Sequence, residues 1–310
     1  MTGGHVMEWI NQLVGRKSYG CDVLFRVVDV VEKEGVETAI LYGSDIRLIA
    51  DAPVNDLVCM TEKEIERIEE EWRNQEEESF HSFTNDTKNE NQREDSSSVL
   101  AFHLPGRVLH LDGDSKYLTK CIDAYTSLSV PVVGVHCPEK EMPERVSLLI
   151  ERYQPQILVL TGHDAYLPSR GKKNDVRSYR NSSFYVKAVQ EARRKMPSLD
   201  QLVIFAGACQ SHFESLIHGG ANFASSPLRV NIHALDPVYT VGKISYTSFK
   251  DSVDVSDILR HTLADEDGIG GVETKGVLRT GTPYKAEMYV EQDERIVDSE
   301  NNRYLHNKNH

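Results

Sequence analysis

The spacing of apolar positions divides the chain into two regimes. Within residues 12–59 the apolar residues form short β-type runs, Val23–Val28, Thr38–Tyr42 and Ile46–Ile49. The polar stretch VVEKEGVE and Gly43-Ser44-Asp45 separate them. Several short antiparallel strands in so few residues predict a small barrel, SH3-like or KOW-like, over residues 1–60. From residue 101 the pattern changes, and continuous apolar blocks alternate with helical periodicity. The blocks are VLHL (108–111), VPVVGVH (130–136), ILVLT (157–161), LVIFA (202–206) and RVNIHAL (229–235). Between them Leu118, Cys121, Ile122 and Tyr125 recur at helical spacing, as do Val146, Leu149, Ile150 and Tyr153. Residues 182–196 form a third helical pattern with basic residues toward its end. Apolar strands flanked by helices predict a mostly parallel sheet covered on both faces, a doubly wound α/β domain over residues 101–290.

Residues 61–100 separate the two regimes. Their first half, TEKEIERIEEEWRNQEEE, predicts a solvated helix with Ile65, Ile68 and Trp72 on one narrow stripe. Their second half, from Ser79, has little to bury and predicts a disordered or mobile linker. Residues 291–310 read as a flexible tail.

Charge and cysteine usage narrow the function classes. The 310 residues carry 48 acidic and 35 basic side chains, a formal charge of −13. Residues 62–95 hold thirteen acids against five bases, so most of that charge lies in one segment. A nucleic-acid-wrapping surface is not expected. No stretch approaches the roughly 18 apolar residues of a membrane span, and the first twenty residues do not read as a secretory leader. The five cysteines are odd in number and scattered, which argues for a reducing compartment rather than a disulfide framework.

Ligands of open parallel sheets bind at the carboxyl ends of the strands, so the residues after each block carry the candidate chemistry. These are Asp112-Gly113-Asp114, His136-Cys137, Gly162-His163-Asp164, Gly207-Ala208-Cys209-Gln210-Ser211-His212 and Asp236-Pro237. If the third and fourth strands are neighbours, His163 and Cys209 face each other across the rim, about 5 Å apart at the strand spacing. An imidazole beside a thiol lowers the thiol pKa and shuttles its proton. Cys209 is expected to open a helix, QSHFESLIHGG, whose N-terminus favours a thiolate and offers N–H groups to an oxyanion. Cys21, Cys59, Cys121 and Cys137 read as structural, as isolated cysteines generally are.

The two apolar blocks ending in histidine and in Ala-Cys resemble the caspase/clostripain-like group of cysteine peptidases. That group typically has glycine directly after the histidine, whereas here Gly162 precedes it and Asp164 follows. The segments RKSYGCDVLFRV, RLIAD, PGRVLHLDGD, LTGHDAY, LDQLVIFAGACQSHFESLIHGGANFASSP, NIHALDPVY and GIGGVETKGVLRTGTPY resemble the YabG family of sporulation-specific proteases over residues 14–285. The resemblance implies a cysteine endopeptidase of the mother-cell cytoplasm, associated with the spore coat. Its implied partners are spore coat and cortex-associated proteins, with His163 and Cys209 as the catalytic pair and no cofactor or metal.

On this reading Cys209 attacks the scissile carbonyl and His163 protonates the leaving amine. The Cys209 N–H and one N–H of the Gly162–Asp164 turn stabilise the oxyanion. Asp112, Asp114 and Asp236 are the candidate carboxylates for a substrate arginine, with Asp112 and Asp236 leading and Asp114 at least as suited to cap the next helix. His212 stands beside Cys209 as a polar wall or faces the adjacent helix. The basic loop 166–183 is a candidate wall of the substrate groove and, with Arg93, a candidate self-cleavage point. Two rivals stand beside this reading. One is a metal-dependent hydrolase built on His136, His163, Asp164, Asp112 and His212. The other is a coat-assembly scaffold that binds through the barrel and the acidic segment.

Overall fold

The computed structural model describes residues 9–94, 102–264, 267–281 and 296–297. The chain divides into two compact units that meet between Glu78 and Ser79. The N-terminal unit holds strands β1 (Leu13–Arg16), β2 (Phe25–Lys33), β3 (Val36–Gly43), β4 (Ile49–Pro53) and β5 (Leu57–Cys59). They form one antiparallel sheet in the order β4-β3-β2-β1-β5. The β2–β3 hairpin turns at Glu34 and Gly35, both left-handed at φ 51 and 78. Two such residues match the twist of paired strands. The turn is therefore tighter than VVEKEGVE suggested, and β2 runs on to Lys33, which pairs with Val36. Val14, Val27, Ala39, Leu41 and Ala52 have no exposure and form this unit's core.

Helix α1 (Glu62–Glu94) starts in a capping box. The Thr61 N–H donates to Glu64 Oε2 at 2.8 Å, and the Glu64 N–H donates back to Thr61 Oγ1 at 3.4 Å. The expected mobile linker from Ser79 is instead helical through Glu94. The reason is that Phe80 and Phe83 continue the Ile65, Ile68 and Trp72 stripe at helical steps. Phe83 is 2% exposed, with the rings of Tyr239 and His261 centred 6.2 and 5.5 Å away.

Beyond β6 (Phe102–Leu104) come β7 (Val108–Asp112), β8 (Val132–His136), β9 (Ile157–Thr161), β10 (Val203–Ala206) and β11 (Phe223–Ser225). They are followed by β12 (Ser252–Val253), β13 (Ile269–Gly271), β14 (Thr274–Lys275), β15 (Arg279–Gly281) and β16 (Ile296–Val297). The main sheet has the order β13-β11-β10-β9-β7-β8-β16, and only the β11–β13 pair is antiparallel. Two further pairs, β12–β14 and β15–β6, are antiparallel.

The connecting helices are α2 (Ser115–Ser127), α3 (Met142–Tyr153), α4 (Ser182–Lys195), α5 (Phe213–Gly219), α6 (Asp236–Tyr246) and α7 (Val255–Leu259). Successive strand residues point to opposite faces. Leu109, Leu111, Leu158, Leu160 and Ile204 pack in one core with residues of α3, α4 and α5. The intervening His110 meets the ring of Tyr125 of α2 on the other face, 5.8 Å away. Both faces are thus covered, as expected of strands apolar on both sides.

The fifth predicted block is corrected. RVNIHAL is not a strand, and the parallel strand beside β10 is the three-residue β11. Arg229 is left-handed at φ 63, and the segment gives its backbone bonds to the turn after β10: Gln210 N–H donates to Val230 O at 3.0 Å. Ile232, Ala234 and Leu235 are buried, and the backbone of Ile232 bonds to Cys209 Sγ rather than to a ladder. Asp236 accordingly stands in the first turn of α6, not at a strand end.

Candidate active site

The chain leaves β7 for α2 on one face and β8 for α3 on the other, so the direction of the strand order reverses at the carboxyl ends of the neighbouring strands β7 and β9. This is the switch point at which open α/β sheets bind ligands. At the end of β7, Asp112 is fully buried, accepting from Thr161 Oγ1 on Oδ2 at 2.8 Å and from the Asp114 N–H on Oδ1 at 2.8 Å. His110 Nε2 lies 2.7 Å from the same Thr161 hydroxyl. Asp114 caps α2, its Oδ1 accepting from Lys116 N at 2.7 Å and Tyr117 N at 3.2 Å. Its Oδ2 lies 3.6 Å from His163 Nε2, close enough for electrostatic attraction but too long for a good hydrogen bond.

His163, just past β9, is 1% exposed and lies against the ring of Tyr117, 5.4 Å between centroids. Its backbone is held on both sides. The N–H donates to Glu139 Oε1 at 2.8 Å, and the carbonyl accepts from Asn181 Nδ2 at 2.7 Å and Tyr185 Oη at 3.3 Å. Glycine suits the position before it: Gly162 has φ 156, and a Cβ there would lie 2.4 Å from Glu139 Oε1 and 2.8 Å from Tyr185 Oη. Burial pushes the Glu139 carboxyl up to about 7, partly opposed by the bond from His163 and helped by the charges of Asp112 and Asp164.

Strand β10 lies parallel to β9, with Ala206 opposite Leu160, and the ladder continues as Gly207 N–H donates to Leu160 O at 2.9 Å. Two residues on, Cys209 therefore stands at the strand end next to that of His163. The intervening turn is sharply shaped. Gly207 has φ 110, and a Cβ there would lie 2.4 Å from Ser225 Oγ. Gln210 has φ 56. That left-handed residue keeps the helix from starting at Cys209 as expected, and α5 begins at Phe213. Cys209 itself is fully buried. Its Sγ accepts from the Ile232 N–H at 3.2 Å and donates to Ile232 O at 3.5 Å.

The remaining candidates are divided. Asp164 is fully buried behind the rim and accepts four hydrogen bonds. Of the Gly162–Asp164 turn, the His163 N–H is engaged by Glu139 and so is not open to an oxyanion. Asp236 is fully buried, with Oδ2 accepting from His233 N at 2.8 Å and Oδ1 from Leu263 N at 2.7 Å. His212 caps α5, its Nδ1 accepting from Ser215 N at 3.3 Å and its ring edge-on to Tyr179 at 5.2 Å. No three of His136, His163, Asp164, Asp112 and His212 bring ligand atoms within 4.8 Å of one another among the described residues. Cys137 is fully buried, and burial raises its thiol to about 11, in keeping with a structural role.

Two participants, Glu139 and Ser182, were not foreseen, while Ser211 lay in the strand-end run after β10 without a role. Glu139 lies just past His136-Cys137, so the strand-end rule would have reached it three residues further on. Ser182 has no such signal, since a serine beside a helix reads as a cap.

The YabG peptidase U57 family model matches residues 9–283, which include every residue of this site. The chain belongs to the YabG peptidase U57 family. It is thus a peptidase, a hydrolase of peptide bonds. A YabG relative, the sporulation-specific protease YabG of Bacillus subtilis (strain 168), is 50% identical over 293 residues, covering 89% of this chain and 98% of that protein. No solved structure matches the chain. No helix among the described residues is long and apolar enough to cross a membrane.

Proposed function

We propose that the protein is a cysteine endopeptidase with Cys209 as nucleophile and His163 as acid and base. The observation that carries this reading is the parallel, in-register pairing of β9 with β10 beside the switch point. It brings one imidazole and one thiol to neighbouring strand ends. The thiol passes its proton to the imidazole and attacks the scissile carbonyl, the imidazolium gives that proton to the amine as the C–N bond breaks, and water then hydrolyses the thioester to free the acid and the thiol. Asp114, 3.6 Å from Nε2, favours the imidazolium formed on the way. Because Ile232 covers the sulfur, a substrate carbonyl reaches it only as residues 230–232 withdraw. The caspase-like arrangement is part of this proposal. So is an SH3-like role for the N-terminal sheet in recruiting substrate.

The relative's name carries proteolysis during sporulation; spore coat and cortex-associated proteins as substrates, cut in the mother cell, are a further part of this proposal. Cleavage after arginine is the finest part of the reading. Asp114 supports it best of the three carboxylates: its Oδ1 caps α2, but its side chain is 16% exposed and its Oδ2 takes no short hydrogen bond among the described residues, whereas Asp112 and Asp236 are buried with both oxygens in hydrogen bonds. The expected lead of Asp112 and Asp236 is thereby reversed.

The test is to incubate wild type, Cys209→Ala and His163→Ala with peptides varied only before the cut, and to identify products by mass spectrometry. Each substitution is expected to lower kcat by roughly 10³-fold or more, as for other nucleophile–base pairs. Wild-type cutting is expected to favour arginine. Retained activity in Cys209→Ala rejects the nucleophile, and equal cutting after arginine and alanine rejects the acidic pocket.

A further inference from the structure

The two strand ends that carry His163 and Cys209 are joined by a buried polar bridge. Asp164 follows His163 directly. Its Oδ1 accepts from Ala165 N at 2.9 Å and Asn181 N at 2.8 Å. Its Oδ2 accepts from Ser182 Oγ at 2.5 Å and Ser211 Oγ at 2.9 Å. Each hydroxyl passes the contact onward. Ser211 Oγ accepts from the N–H of Ala208, the residue before Cys209, at 2.9 Å. Ser182 Oγ accepts from the N–H of His212, three residues after Cys209, at 2.8 Å. The carboxylate therefore grips the Cys209 turn on both sides through two hydroxyls, while Asn181 holds the carbonyl of His163. Asp164, Ser182 and Ser211 are all fully buried. Four donors fill the four acceptor sites of one carboxylate. Such a network is rigid when complete, and losing one member orphans the next.

We propose that Asp164, acting through Ser211 and Ser182, is the positioning residue that fixes the reach between His163 and Cys209. It touches neither substrate nor sulfur. Its product is the spacing at which an imidazole can take and return the proton of a thiol. This rests on the proposed pair of Cys209 and His163.

Asp164→Asn puts an amide where hydroxyl and backbone donors converge, and that variant is at risk of failing to fold. Ser211→Ala is the milder test, and Ser211→Thr restores the hydroxyl. All are compared with wild type and Cys209→Ala for thermal melting, kcat, KM and the pH profile of kcat/KM on one peptide. Ser211→Ala is expected to lower kcat by on the order of 10²-fold, the cost of a small misplacement of reacting groups. KM should stay within about threefold, and the acid limb of kcat/KM should move to higher pH as the thiol loses its imidazole. Ser211→Thr is expected to recover most of the rate. A folded Ser211→Ala with wild-type kcat and pH profile overturns the bridge while leaving the catalytic pair standing. A lower melting temperature with kcat and profile unmoved also overturns it, as that is what a purely structural network would give. Activity in Cys209→Ala overturns the pair, and the bridge with it.

Discussion

Glu139 joins three strand ends. It lies just past β8, a Cβ on Gly113 after β7 would sit 2.3 Å from its Oε1, and the same oxygen accepts the His163 N–H after β9. Its carboxyl is raised to about 7 by burial, so the folded protein keeps a proton that the unfolded chain gives up near pH 4.5. The unfolded state then binds fewer protons between those values, and stability falls as pH rises through that window and levels off above it. Glu139→Gln keeps an acceptor for His163 and has nothing to ionise. Its melting temperature is expected to decline less than wild type's between pH 5 and pH 8. Equal declines in thermal scans would refute this role. At this scale the sequence was legible where a residue type has few uses. A histidine and a cysteine after apolar blocks stood out, whereas Ser182 and Ser211 look like any helix-start serines until the fold brings Asp164 between them.

Elements were legible where periodicity was long. Helices α2, α3 and α4 appear within a residue or two of expectation, because burial recurs at every turn. Helix α1 was misread beyond Ser79 because two apolar residues among many polar ones weigh little in composition, yet Phe83 alone is nearly fully buried. Phe83→Ala is expected to cost about 3–5 kcal/mol, as for other buried aromatics, read as a shifted denaturant midpoint. A change under about 1 kcal/mol would mean the site collapses around the gap. The strand β11 was missed and the segment 229–235 over-read for one reason: an apolar run reports burial, not which partner takes its backbone bonds. Three residues flanked by Asn222 and Ser226 carry no visible pattern. The long run ending at Leu235 instead gives the Cys209 turn backbone bonds through Val230 and Ile232.

Over the whole molecule, the order of the sheet decides where chemistry can occur. The strand ends lie together because β7 has β8 on one side and β9 on the other, with β10 beyond β9, a relation that no single residue reveals. What the alternation could not give was strand order, so the adjacency of β9 and β10 remained a condition until the register was seen. All five cysteines are free. Titration of the unfolded, unreduced protein with a thiol reagent is expected to return five thiols, and a lower count would reveal a crosslink.

The cover over Cys209 has a chemical consequence of its own. Peroxide and haloacetamides attack a thiolate only where they can touch it, and this sulfur is held between the N–H and carbonyl of Ile232. Buried in this way, the sulfur is expected to react with such reagents far more slowly than an exposed thiol. The rate at which a small electrophile labels Cys209 then measures how often that cover lifts.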